Sequence, residues 1–256
     1  MFDVHSDLQH QLSDVAEEHI QALDKAHRAG VTGFVVTASA ENRRQAVLSL
    51  AKEQGVGAAT GLGPRAVSSM TEKELDDRLE RLRRDLEGDN WCAVGAIGLD
   101  YESGVDLAVR KRQRRALVAQ LGLARELALP VILTVQGAHN SMIKILRREG
   151  LAAAGGMICD YSGSPRQVGP FLMLNLDLSV GPAIVGDRAE EVRQVVAQMP
   201  EDRLLVESNA GGRDEGVDKL DAIVAAVADI WGRRPKQVAR YTAENGRRRF
   251  GVQFLA

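Results

Sequence analysis

The chain is poor in the residues on which several protein classes depend. It has two cysteines in 256 residues, Cys92 and Cys159. They are far apart and form no CxxC pair, which excludes a zinc ribbon and makes a disulfide framework unexpected; a reducing compartment is the default. Aromatic residues are 4% of the total, leaving few platforms for stacking nucleobases. The formal net charge is −2, so the overall balance lacks the basic footprint usual for nucleic-acid binders. No apolar run nears the roughly 20 residues of a membrane span. The opening MFDVHSDLQHQL has no basic leader running into an apolar core. A soluble, cytoplasmic protein without a membrane partner is expected.

What the chain does have is alternation. Short apolar runs and amphipathic stretches follow one another from end to end. Strands are predicted at 2–5, 33–38, 57–61, 92–97 and 130–135, then within GMICDY, LMLNLDLSV and RLLVES. PVILTV is the clearest, a continuous apolar run of the kind buried on both faces of a parallel sheet. Helices are predicted between them, at 14–29, 41–54, 71–87, up to about 128, 140–149, 166–172 and 187–199. Two more close the chain, at 217–231 and 235–250. TEKE at 71–74 reads as a capping box and Gly55 as a helix-terminating glycine. Eight strand-then-helix units with short connections predict one (β/α)8 barrel over residues 1–256, without linker or low-complexity segment. A doubly wound open sheet is the alternative, because periodicity does not report closure.

Several segments carry a family likeness in a fixed order: VGAIGLDY (94–101), QRRALVAQLGLARELALPVIL (113–133), YSGSP (161–165), PEDRLLVES (200–208) and TAENGRRRFG (242–251). Together they resemble the TatD-like metal-dependent deoxyribonucleases, whose fold is an amidohydrolase-like barrel. The likeness spans almost the whole chain. It implies hydrolysis of phosphodiesters by two divalent ions at the C-terminal rim, where one activates a water and the pair neutralises the transition state.

The family's ligand positions read differently here. The HxH after strand one is His5-Ser6-Asp7. The Glu that bridges both ions is Ala96, the strand-five His is Thr134, the strand-six His is Cys159, and the Asp of ETD is Asn209. GIHP reads GLGP at 61–64. Of the six ligand positions His5 alone is unchanged. The expectation is therefore a TatD-like barrel that has lost its dinuclear centre and acts as a pseudoenzyme, binding a protein partner or ligand at the old mouth. No cofactor is expected on this reading. The alternative is a working hydrolase, still a nuclease, with one weakly held Zn, Mg or Mn ion among His5, Asp7 and Asn209. A purely structural subunit is a third possibility.

Individual side chains have competing readings. Glu207, kept from ETD, is a candidate lone base or a strand-end hydrogen-bonding group. Cys159 is a candidate nucleophile if a base such as His139 approaches it, and otherwise a small buried residue. Asp160, next to Cys159, should face away from it by strand alternation unless a bulge intervenes. Asp100 and Tyr101 are expected to fix the loop after strand four. RKRQRR at 110–115 is expected to be mostly a solvated helix face, with nucleic acid following a basic path as the alternative. Arg247, Arg248 and Arg249 are expected to clamp the last helix. His10, His19 and His27 have no partner pattern.

Overall fold

Parallel pairing in strict sequence order dominates the computed structural model, which describes residues 1–6, 16–38, 44–88, 90–102, 104–186, 189–208 and 218–252. The strands are β1 (Phe2–Ser6), β2 (Gly33–Ala38), β3 (Val56–Thr60), β4 (Ala93–Asp100), β5 (Val131–Gln136), β6 (Gly156–Ile158), β7 (Leu176–Val180) and β8 (Leu204–Val206). Each pairs with the next, β1 to β8 in order. The helices are α1 (Ala16–Arg28), α2 (Arg44–Leu50), α3 (Pro64–Ser68), α4 (Glu72–Gly88) and α5 (Leu107–Glu126). They continue with α6 (His139–Glu149), α7 (Pro165–Leu172), α8 (Ala189–Val196), α9 (Asp218–Trp231) and α10 (Pro235–Phe250). This is the (β/α)8 barrel anticipated above.

The sequence explains the elements locally. GFVVTA in β2 is buried at every position, as expected of a β-branched run covered on both faces. At α4 the capping box forms: Thr71 N donates to Glu74 Oε2 at 2.7 Å and Glu74 N to Thr71 Oγ1 at 3.2 Å. α2 is shorter than expected and stops before Gly55; residues 41–43 lie outside the described part. The five-residue α3 was not anticipated, since its proline reads as a breaker unless placed at the first helical turn, where it is tolerated.

Two apolar layers hold the barrel. One lies between strands and helices; the other fills the interior, with Phe2, Val35, Ala59, Ile132 and Leu205 pointing inward. Phe250 and Val252, at the end of α10, join that interior group. Gly246 lets α10 press on β1, where a methyl group would lie 2.9 Å from the Phe2 ring. Arg249 donates to the buried Asp177 at 2.8 Å and to Ala154 O at 2.6 Å, which ties α10 beneath β6 and β7.

The β1–β8 seam is joined by side chain. Asp3, fully buried in β1, accepts from Ser208 N at 2.9 Å and from Ser208 Oγ at 2.6 Å. Two strands carry one extra residue. In β1 the register runs from Asp3↔Phe34 to Ser6↔Val36. In β4 it runs from Val94↔Val131 to Ile97↔Leu133. Each bulge inverts the inward–outward alternation beyond it. Ala93 and Ala96, an odd number apart, thus both meet the interior.

Candidate active-site mouth

The C-terminal ends of barrel strands converge on one rim, where such folds place their chemistry. Alternation from the inward residues Ile132, Met157 and Leu205 brings Thr134, Cys159 and Glu207 to that rim. The bulges bring His5 and Ala96. His5 Nδ1 lies 3.5 Å from Glu207 Oε1, and the Thr134 side chain hydrogen-bonds Cys159. Four of the six expected positions, His5, Ala96, Thr134 and Cys159, therefore line the mouth. Asp7 and Asn209 lie outside the described residues, as does His10; His19 is on α1, where its side chain is not described.

Glu207 is fully buried. Its Oε2 accepts a short hydrogen bond from Ser179 of β7, whose own oxygen accepts from Asp160 N at 3.2 Å. Oε1 has no hydrogen-bond partner among the described residues and faces the imidazole. Burial pushes the Cys159 thiol well above its ordinary range, and the charges of Glu207 and Asp160 push it further. Burial thus disfavours the free Cys159 thiolate, which argues against an activated nucleophile. His139, the base on which that reading depends, is engaged elsewhere. Its ring packs edge-on against Tyr161 at 5.7 Å and Phe171 at 6.3 Å, in the layer outside the sheet.

Asp160 departs from the alternation argument for a physical reason. β6 ends at Ile158, and Asp160 has φ of 42°, a left-handed backbone rather than an extended one. A methyl group placed on Gly181 would meet Asp160 Oδ1 at 3.2 Å and Glu207 Cγ at 3.5 Å. The two carboxylates thus flank one glycine at the end of β7.

Two glutamines that sequence reasoning did not single out organise the opposite side. Gln113 and Gln120 are seven apart on α5 and share one buried face. Gln120 accepts from Leu62 N at 2.7 Å and donates to Leu62 O at 3.1 Å, which fixes the Gly61–Pro64 loop. Gln113 accepts from Asp100 N at 2.9 Å and donates to Ser68 Oγ at 2.9 Å. Asp100 in turn accepts from Glu102 N at 3.2 Å and lies 3.5 Å from Arg65 Nε. The available signal was the i, i+7 spacing of two amides on an otherwise apolar helix face.

A pair of ions needs several convergent carboxylates and imidazoles, one of them shared. Here the described rim offers the His5 imidazole, the Glu207 carboxylate bonded to Ser179, the Asp160 carboxylate beside it, a buried thiol, a hydroxyl and a methyl group. Among the described residues, no three His, Cys, Asp or Glu side chains gather as a metal cluster.

The architecture is that of a (β/α)8 barrel whose strand ends converge on one rim. The chain belongs to the TatD related DNase family, which matches residues 2–251. It is 36% identical over 192 residues to the uncharacterized metal-dependent hydrolase YjjV of Escherichia coli (strain K12), covering 74% of this chain and 71% of that protein. The crystal structure of the same protein superposes with a TM-score of 0.83 at 27% identity, covering 98% of both chains. The 3′-5′ ssDNA/RNA exonuclease TatD of Erwinia amylovora is 28% identical, covering 98% of this chain and 100% of that one.

Proposed function

We propose that this TatD-family barrel has given up the family's dinuclear metal centre and acts by binding a partner or ligand at its mouth. The observation that carries this reading is Ala96. The β4 bulge still aims position 96 into the barrel, so the strand keeps the geometry for presenting a group there. The group presented is a methyl, which offers no electron pair to either ion. The resemblance puts Thr134 and Cys159 where the family carries imidazoles; a hydroxyl is the weaker donor, and burial disfavours the thiolate. Losing even a group that merely supports a ligand costs about 10–100-fold in affinity or activity, and here several ligands are changed at once.

A reduced hydrolase is the second reading, and one observation favours it. Glu207 Oε1 and His5 Nδ1 converge at 3.5 Å, an imidazole and a carboxylate at the rim where barrels of this kind place their chemistry. With Asp7 and Asn209 they would form a one-ion set. A nuclease assay separates the two. Single-stranded DNA and RNA are incubated with the protein in Mg, Mn or Zn, alongside His5→Ala. The first reading predicts the same background cleavage from both proteins. Metal-dependent cleavage abolished by His5→Ala would establish the second.

A further inference from the structure

The outer wall between α5 and α6 carries an uneven distribution of charge. From Leu107 to Glu149 the chain has nine Lys and Arg against two Glu, although the whole protein carries −2. On the side of α5 that faces α4 the cations are matched. Arg115 pairs with Glu72 at 2.7 Å and with Asp76, and Arg83 of α4 pairs with Glu126 at 2.6 Å. On the side that faces α6 they are not. There a groove of about 260 Å³ is lined by Arg114, Ser141, Lys144, Ile145 and Arg148. Among the described residues Arg148 alone of these has a carboxylate paired with it, Glu149 at 2.6 Å. Lys144 and Arg147 are exposed, and no carboxylate pairs with either among the described residues.

The upper end of the groove is organised by Tyr101. Its hydroxyl accepts from Arg114 Nε at 3.0 Å, and the Arg110 guanidinium lies 4.9 Å from its ring centroid. Two guanidinium groups are thereby held in place before any ligand arrives, which lowers the entropy lost on binding. Arg110 and Arg114 are four residues apart, as are Lys144 and Arg148, so each pair is spaced by about 6 Å along its helix. Cations repeating at that interval on each of two neighbouring helices suit an anion whose charges repeat, rather than a single small ion.

We propose that the α5–α6 groove binds the phosphodiester backbone of a single-stranded nucleic acid on the outside of the barrel. The attraction is electrostatic, without base readout, and needs no metal. It is independent of what the mouth does. Lys144, Arg148 and Arg114 would each neutralise a phosphate, and Ser141 would donate to a phosphate oxygen. The −2 net charge does not oppose this, because binding follows the local field and not the sum.

The test is anisotropy of a dye-labelled oligo-dT with the full chain in EDTA, which removes any contribution from divalent ions. The double variant Lys144→Glu/Arg148→Glu should bind at least about tenfold more weakly. Its plot of log affinity against log salt should be flatter by about one for each phosphate left without a cation. Lys52→Glu, the same charge change on an exposed residue elsewhere, should stay within about twofold of wild type. If the double variant fails to fold, Lys144→Gln and Arg148→Gln singly should each weaken binding and flatten the plot. Equal affinity of wild type and variants would overturn the proposal. So would binding of inorganic phosphate or phosphatidylserine vesicles with none of the oligonucleotide.

Discussion

Gly98→Ala is expected to leave little or no folded protein. Gly98 lies in β4 opposite Thr134 of β5, with φ of 155°. A methyl group there would sit 1.9 Å from Thr134 O, 2.9 Å from its carbonyl carbon and 3.0 Å from its nitrogen. All three atoms are backbone, so no rotamer change can relieve the clash. β5 cannot retreat without breaking its pairing with β6. The φ value adds a conformational penalty that glycine alone avoids. The combined loss should exceed about 4 kcal/mol, at the extreme of single substitutions. Urea denaturation and soluble yield measure it. Gly88→Ala, at a helix end where nothing lies within 4 Å, is the control and should change stability by no more than about 1 kcal/mol. A Gly98→Ala protein as stable as wild type would show that β4 and β5 are not packed this closely.

Asp3→Ala should open the β1–β8 seam. The substitution strands Ser208 N and Ser208 Oγ, and also His5 N, which reaches Asp3 Oδ1 at 3.3 Å. Stranding a buried donor costs about 1–3 kcal/mol, so a loss of about 3–5 kcal/mol is expected, with His5 released from its position. Asp3 also has a pH signature. Burial, with Glu207 nearby, raises its carboxyl from 3.8 to about 6, although the Ser208 hydrogen bonds pull it down. The folded state therefore holds a proton that the unfolded chain releases. This contribution to stability is complete below about pH 4 and is lost as pH rises to about 6. One pKa unit corresponds to about 1.4 kcal/mol, so the change is on the order of 2–3 kcal/mol. Melting curves of wild type and Asp3→Asn across that range should converge as pH rises, with wild type favoured at the acid end. Parallel curves would mean that Asp3 is already ionised at the acid end.

What the sequence revealed was whatever depends on periodicity alone. PVILTV, GFVVTA and the TEKE cap each carry their structure in neighbouring residues, and so does the order of strand and helix. The bulges in β1 and β4 are different, because an extra residue exists only relative to a partner strand. No local pattern in FDVHS or AVGAIG reports it. That is why the inward aim of Ala96 could be inferred from likeness but not from alternation. Asp160 is a related case: alternation holds only for extended backbone, and β6 ends two residues earlier, at Ile158. The Gln113–Gln120 pair was legible in principle, being two amides on one buried helix face. Their partners, Leu62 and Asp100, come from other elements and became visible only in three dimensions.

The claim on which the functional reading rests is that the mouth no longer holds a pair of ions. Metal analysis of the purified protein tests it most directly, after incubation with excess Mn, Zn or Mg and removal of free ions by gel filtration. A substoichiometric content that His5→Ala leaves unchanged is the predicted result. Two ions retained per chain, and lost in His5→Ala, would contradict it.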